Sequence, residues 1–220
     1  SDFATLFVKQ DGSLWITGDT LSSSTPFSLV PKMILESGVV QVEVVRDYYS
    51  GLNEIFVLDN DGAVKRLNLD YEEEEEHDDD HEEEDHDEEH AIYLIDQVTV
   101  KDGVKSISGG DRHLLMLMWD GSVWGAGDNA LGQLGNGQDS RNYSYYVPFD
   151  QPIKISSFND VASISAGFSH SLLVNEDGSL WGMGENWRGA LGINKNESTY
   201  TELDETGSPY ALENIPVQIL

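Results

Sequence analysis

Apolar residues along this chain come in short runs separated by polar turns. The runs "TLFV", "IFVL", "LLML" and "SLLV" each lead into an Asp-Gly pair, at Asp11-Gly12, Asp61-Gly62, Asp120-Gly121 and Asp177-Gly178. A second apolar run follows every pair: "SLW", "AVK", "SVW" and "SLW". Asp-Gly between two strand-like runs predicts a β-hairpin, here with a type I′ turn in which both central residues take positive φ. The pairs recur at spacings of 50, 59 and 57 residues, so the hairpin is one part of a repeating unit.

Two further strands complete the unit. "VKSIS" at Val104 and "VASIS" at Val161 precede the hairpin, each closed by Gly-Gly or Ala-Gly. Another element carries proline: "PKMIL" at Pro31, "QPIKI" around Pro152 and "IPVQIL" around Pro216. Proline fits an edge strand, where a missing amide hydrogen costs no ladder bond. Four short strands per repeat, with no convincing helical periodicity, predict an all-β fold, a β-propeller of four-stranded blades with about four repeats present. Repeats start near Pro31, Ala91, Pro152 and Pro216, partial at both ends, within a single domain or segment over residues 1–220.

The units "ISGGDRHLLMLMWDGSVWGAGDNALGQLGNG" and "ISAGFSHSLLVNEDGSLWGMGEN…GALG" resemble the repeat of the regulator of chromosome condensation family. The resemblance is strong in the third and fourth repeats and looser elsewhere. It implies a propeller, usually of seven blades in that family. Two arrangements follow: a segment of a larger propeller, or a small closed ring in which residues 1–30 and 216–220 share one blade. The wording "DGSLWGMG" and "PVQIL" is most similar to bacterial members, many of them surface or secreted proteins. That implies an exported or cell-surface location, with the cytoplasm as the alternative.

Residues with chemical potential recur with the repeat, which argues that they are architectural. His113 and His170 hold one repeat position, where the first two repeats have Ala4 and Glu54, and no Ser or Asp partner recurs beside them. A histidine bonding a neighbouring turn is expected, and no catalytic residue is assigned. Trp15, Trp124 and Trp181 hold another position, and packing between blades is expected, with the indole N–H on a turn carbonyl. "GAGDNA" fits a dinucleotide fingerprint only formally, because "LGQLGNG" follows where a helix is required. "DNDG" at Asp59 resembles the start of a calcium loop, lacks its later ligands, and is expected to be a hairpin turn. Trp187 and Arg188, in "ENWRGALG", depart from the repeat and are the candidate partner contacts, with Trp187 expected to be exposed.

Composition changes the picture in one region. Within Glu72–Glu89 there are 15 acidic residues and no basic ones, and without them the net charge of −29 falls to −14. An acidic body without a Lys/Arg cluster predicts no nucleic-acid binding. With no long apolar run, no membrane insertion is expected either. No cysteine is present, which excludes thiolate chemistry and disulfides. The acidic tract, residues 71–90, reads as a loop insertion on the second repeat, and four of the six histidines lie in it. His77, His81, His86 and His90, with Glu76, Asp78, Asp80 and Glu82, form a candidate site for a divalent cation, calcium or zinc. No cofactor is required by anything else in the chain. The function these features predict is a non-enzymatic binding or structural module, with a protein partner or self-assembly. A divalent-metal-binding module and a guanine nucleotide exchange regulator are the alternatives.

Overall fold

The computed structural model describes residues 4–18, 28–46, 53–71, 92–139, 146–155, 158–193, 200–203 and 209–220. Among these every regular element is a strand. The first sheet has the order β1 (Ala4–Val8), β2 (Leu14–Gly18), β3 (Ser28–Leu35). In the second, β4 (Val39–Arg46), β5 (Asn53–Asp59), β6 (Val64–Tyr71) and β7 (Ile92–Lys101) pair in chain order. β8 (Val104–Gly109), β9 (His113–Met118) and β10 (Val123–Asp128) begin the third sheet. Its outer strand is broken into β11 (Tyr146–Val147) and β12 (Ile153–Ile155), both pairing with β10. The break is a turn in which Gln151 N donates to Pro148 O, just before Pro152. The fourth sheet runs β13 (Val161–Ala166), β14 (His170–Asn175), β15 (Leu180–Glu185), β17 (Pro209–Gln218), β16 (Tyr200–Leu203). Pro31 lies on the outer strand β3, and Pro216 lies in β17 beyond the residues 209–212 that pair with β16, so both fall where a missing amide hydrogen leaves no ladder bond unmade.

All four Asp-Gly pairs form hairpins, but the turn is not type I′. Gly12 N donates to Lys9 O and Lys9 N to Ser13 O, both at 2.9 Å, and the same two bonds recur at Asp59–Ala63, Met118–Ser122 and Asn175–Ser179. This is a type I turn closed by a G1 bulge, which places the glycine, with φ of 81°, 82°, 77° and 85° in chain order, at the left-handed position. Aspartate prefers this arrangement because its Oδ1 accepts an amide beyond the turn: Ser13 N on Asp11, Ser122 N on Asp120, both at 2.9 Å, and Ser179 N on Asp177 at 2.8 Å.

Successive sheets are stitched by a repeated backbone seam. Gly12 O accepts from Val39 N, Gly62 O from Val104 N, and Gly121 O from Val161 N, at 2.9–3.1 Å. The central strand β9 is buried at five consecutive positions because sheets lie on both of its faces. In β14, buried and half-buried positions alternate, since among the described residues a sheet covers only the face toward the third sheet. The main core accordingly runs through Phe56, Leu114, Met116, Leu134, Ile155 and Met183, between the second, third and fourth sheets. Each of these fully buried side chains contributes about 1.5–3 kcal/mol.

Candidate functional site at the loop end of the sheets

Strand direction sorts the connections into two ends. One end holds the Asp-Gly hairpins. The other holds the turns from the innermost strand to the next, at Gly110–Arg112 and Gly167–Ser169, and the long loops after β10 and β15. Of the described residues singled out in the sequence, His113, His170, Trp187 and Arg188 lie at this loop end, whereas Asp59, Trp15, Trp124 and Trp181 lie next to the hairpins.

His113 starts β9 and is 0% exposed. Its Nε2 lies 3.0 Å from Ser171 Oγ of the next sheet, and Ser171 Oγ donates to Gln133 O at 2.7 Å. With the hydroxyl proton committed, His113 Nε2 must carry the ring hydrogen, and Nδ1 has no hydrogen-bond partner. Burial pushes the His113 pKa down to about 3, helped by the charge of His170. The ring rests on Gly110, where a Cβ would meet Cε1 at 2.3 Å, and Gly110 N donates to His113 O at 2.8 Å. His170 repeats this support on Gly167. Burial also lowers the His170 pKa, with Glu185 opposing the shift. The histidine is therefore structural, but its partner is a hydroxyl of the next sheet and not a neighbouring turn. Because Ser171 gives its proton to Gln133 O and not to His113, this wholly buried pair is not arranged as nucleophile and base.

The glycines of "GAGD" and "GMGE" split by role. A Cβ on Gly125 would come within 2.8 Å of Leu134 Cδ2, and one on Gly182 within 2.7 Å of Ile219 Cδ1. Gly127 and Gly184 have φ of 99° and 98° and abut the carbonyls of Arg112 and Ser169 at 2.3 and 2.5 Å from a Cβ position. They lie in β10 and β15, which disposes of the dinucleotide pattern. Sequence reasoning missed Asn129 and Asn186, both 0% exposed. Asn129 Oδ1 accepts Leu134 N at 2.8 Å and Asn186 Oδ1 accepts Leu191 N at 3.1 Å, pinning both long loops. Their recurrence in "GDNALG" and "GENWRGALG" was the available signal.

The tryptophan position also differs in detail. Trp15 and Trp181 donate Nε1–H to the hydroxyls of Ser13 and Ser179, at 2.8 and 3.1 Å, and not to a carbonyl. Trp181 packs edge-on against Phe158, centroids 5.3 Å apart, so packing is confirmed.

The exposed part of the loop end is aromatic and cationic. Phe168, in the turn before β14, is 70% exposed. Its carbonyl accepts Asp111 N at 3.3 Å, and Asp111 stands 4.0 Å from Arg46 Nη1 and 3.4 Å from Arg112 Nε. Ser169 O accepts Glu185 N at 2.9 Å, which ties this turn to the strand leading into Trp187 and Arg188. Trp187 is half-buried and not exposed as expected, because the Arg188 guanidinium lies 4.7 Å from its ring centroid. Phe168 was not singled out in the sequence, although an aromatic residue in a turn between two strands was visible there. The metal candidates His77, His81, His86, His90, Glu76, Asp78, Asp80 and Glu82 lie outside the described residues, between the paired ends of β6 and β7. Among the described residues no group of three His, Asp or Glu could hold a metal ion.

The family description "Regulator of chromosome condensation (RCC1) repeat" matches residues 120–174, and a second form of it matches 104–133 and 161–189. The chain belongs to the regulator of chromosome condensation repeat family. Curated members similar to it include protein pim1 of Schizosaccharomyces pombe, 30% identical over 80% of this chain and 32% of that protein. The regulator of chromosome condensation of Mus musculus is 31% identical over 52% of this chain and 26% of its own length. Among solved structures, yeast RCC1 (Prp20) bound to Kap60 superposes with a TM-score of 0.66 at 20% identity, over 99% of this chain and 48% of that one. Human WBSCR16 gives 0.62 at 20% identity, over 99% and 52%. The chain thus spans about a third or less of these curated relatives and about half of the solved propellers, whose likeness establishes the fold.

Proposed function

We propose that this RCC1-type chain is a non-catalytic protein-binding module whose partner surface is the loop end of the sheets. The observation that carries this is the exposed Phe168 in a turn flanked by Arg46, Asp111 and Arg112 and tied to the Trp187–Arg188 loop. Aromatic residues and arginine are the side chains enriched in protein interfaces and in their energetic centres. Two structures of one solved relative, yeast RCC1 (Prp20), support a protein partner by analogy: in one it is bound to Kap60, and the other concerns its binding to Gsp1p and histones. Arginines gather at this end of an otherwise acidic chain, so net charge does not describe the surface and the expected exclusion of nucleic acid is not carried forward. A bacterial exported or surface assembly is part of the same proposal and rests on the wording of the repeats alone.

The test is affinity capture with the parent chain and with a Phe168→Ser/Arg188→Glu double variant of equal denaturant midpoint. Proteins retained by the parent should be lost by the variant, and neither chain should accelerate nucleotide release from a small GTPase. Identical retention by both would end the proposal for this surface, and accelerated release would replace it with exchange activity.

A further inference from the structure

The hairpin end of the sheets carries a second surface of different chemistry. The residue before each Asp-Gly pair is Gln10, Asn60, Trp119 and Glu176, so one polar turn position holds a tryptophan. Trp119 is 71% exposed, whereas the repeat tryptophans Trp15, Trp124 and Trp181 are partly buried. Its backbone N donates to Gly103 O at 3.3 Å, and its Nε1 lies 3.6 Å from where a Gly62 Cβ would stand. The indole therefore lies across the seam between the second and third sheets. A carboxylate adjoins each point that fixes it: Asp61 precedes Gly62, Asp102 precedes Gly103, and Asp120 follows the ring, all three exposed. Two of the ammonium groups near this corner have partners of their own. Lys101 Nζ lies 3.9 Å from the Trp124 centroid, and Lys154 Nζ donates to Asn159 Oδ1 at 3.0 Å while helping to hold the Asp120 carboxyl below its usual range.

We propose that this corner binds an arginine-bearing basic segment of a protein partner. A guanidinium stacks on the indole face and presents its fork to the carboxylates of Asp61, Asp102 and Asp120. An ammonium lacks the planar fork, so lysine is the poorer ligand. The surface is separate from the proposed loop-end site, since the strands of the second and third sheets run between them.

The test follows the Trp119 indole N–H by NMR, assigned from its loss in Trp119→Phe, as a short oligo-arginine peptide is added to the full chain. The acidic tract also attracts cations, so a chain lacking residues 72–90 is titrated in parallel. The indole resonance should shift saturably in both, more weakly with oligo-lysine, and be unaffected by Phe168→Ser. Asp61→Asn with Asp102→Asn should weaken the affinity read at Trp119 by about fivefold, the scale of two exposed ion pairs lost. Trp119→Ser should leave the denaturant midpoint unchanged. An unmoved indole, a shift lost with the tract, indifference to the Asp61 and Asp102 changes, or a large drop in midpoint would each overturn the proposal.

Discussion

At Ser13, Ser122 and Ser179 a hydroxyl or amide meets the turn aspartate, and this bonding holds the Asp11, Asp120 and Asp177 carboxyls below the usual range. The second repeat has Ala63 and Lys65 instead of Ser and Trp, and compensates locally. Asp59 Oδ1 accepts Asp61 N and Ala63 N, and Lys65 Nζ reaches Asp59 Oδ2 at 2.8 Å. Because that ion pair is partly exposed, Lys65→Ala should cost only about 0.5–1 kcal/mol, read from denaturant midpoints. His113 should matter more, and with a pH signature. Its folded pKa of about 3 lies below the ordinary histidine value of 6.5, so the unfolded chain takes up the proton first as pH falls. The histidine's contribution is then whole above about pH 6.5 and lost toward pH 3, at about 1.4 kcal/mol per pH unit. Unfolding at pH 7 and 4.5 should show a shallower acid loss in His113→Gln than in the parent. The position of His113 was legible because it recurs. Its partner was not, since Ser171 lies 58 residues away and occurs in one repeat only.

Among the elements, the hairpins were legible and their turn was not. Asp-Gly marks both a type I′ turn and a type I turn with a G1 bulge, and the serine or alanine bonds that decide between them lie outside the pair. The four hairpin glycines share one conformation and differ in surroundings, which separates two causes of their identity. A Cβ on Gly121 would meet Asn159 O at 2.5 Å, whereas Gly178 has nothing within 4 Å. Gly178→Ala should therefore cost about 1 kcal/mol for positive φ alone. Gly121→Ala should cost about 1–3 kcal/mol more, because the seam to the fourth sheet must also open. Equal losses in midpoint would show that the seam tolerates displacement.

For the whole molecule, the all-β blade architecture followed from period and turn chemistry, because each repeat writes its own strands and hairpin. The division of surface chemistry between the two ends did not. Arg46, Arg112, Phe168 and Arg188 come from three different sheets, and only the strand directions bring them to one end. The proposed division of labour makes the recurring His, Trp and Gly pattern architecture and leaves partner binding to the loop end. Its most direct test measures denaturant midpoint and partner retention side by side for His113→Gln and for Phe168→Ser/Arg188→Glu. The predicted result is a lowered midpoint with retention intact for the first, and an unchanged midpoint with retention lost for the second. Loss of partner in a folded, buried-histidine variant, with the surface variant still binding, would contradict it.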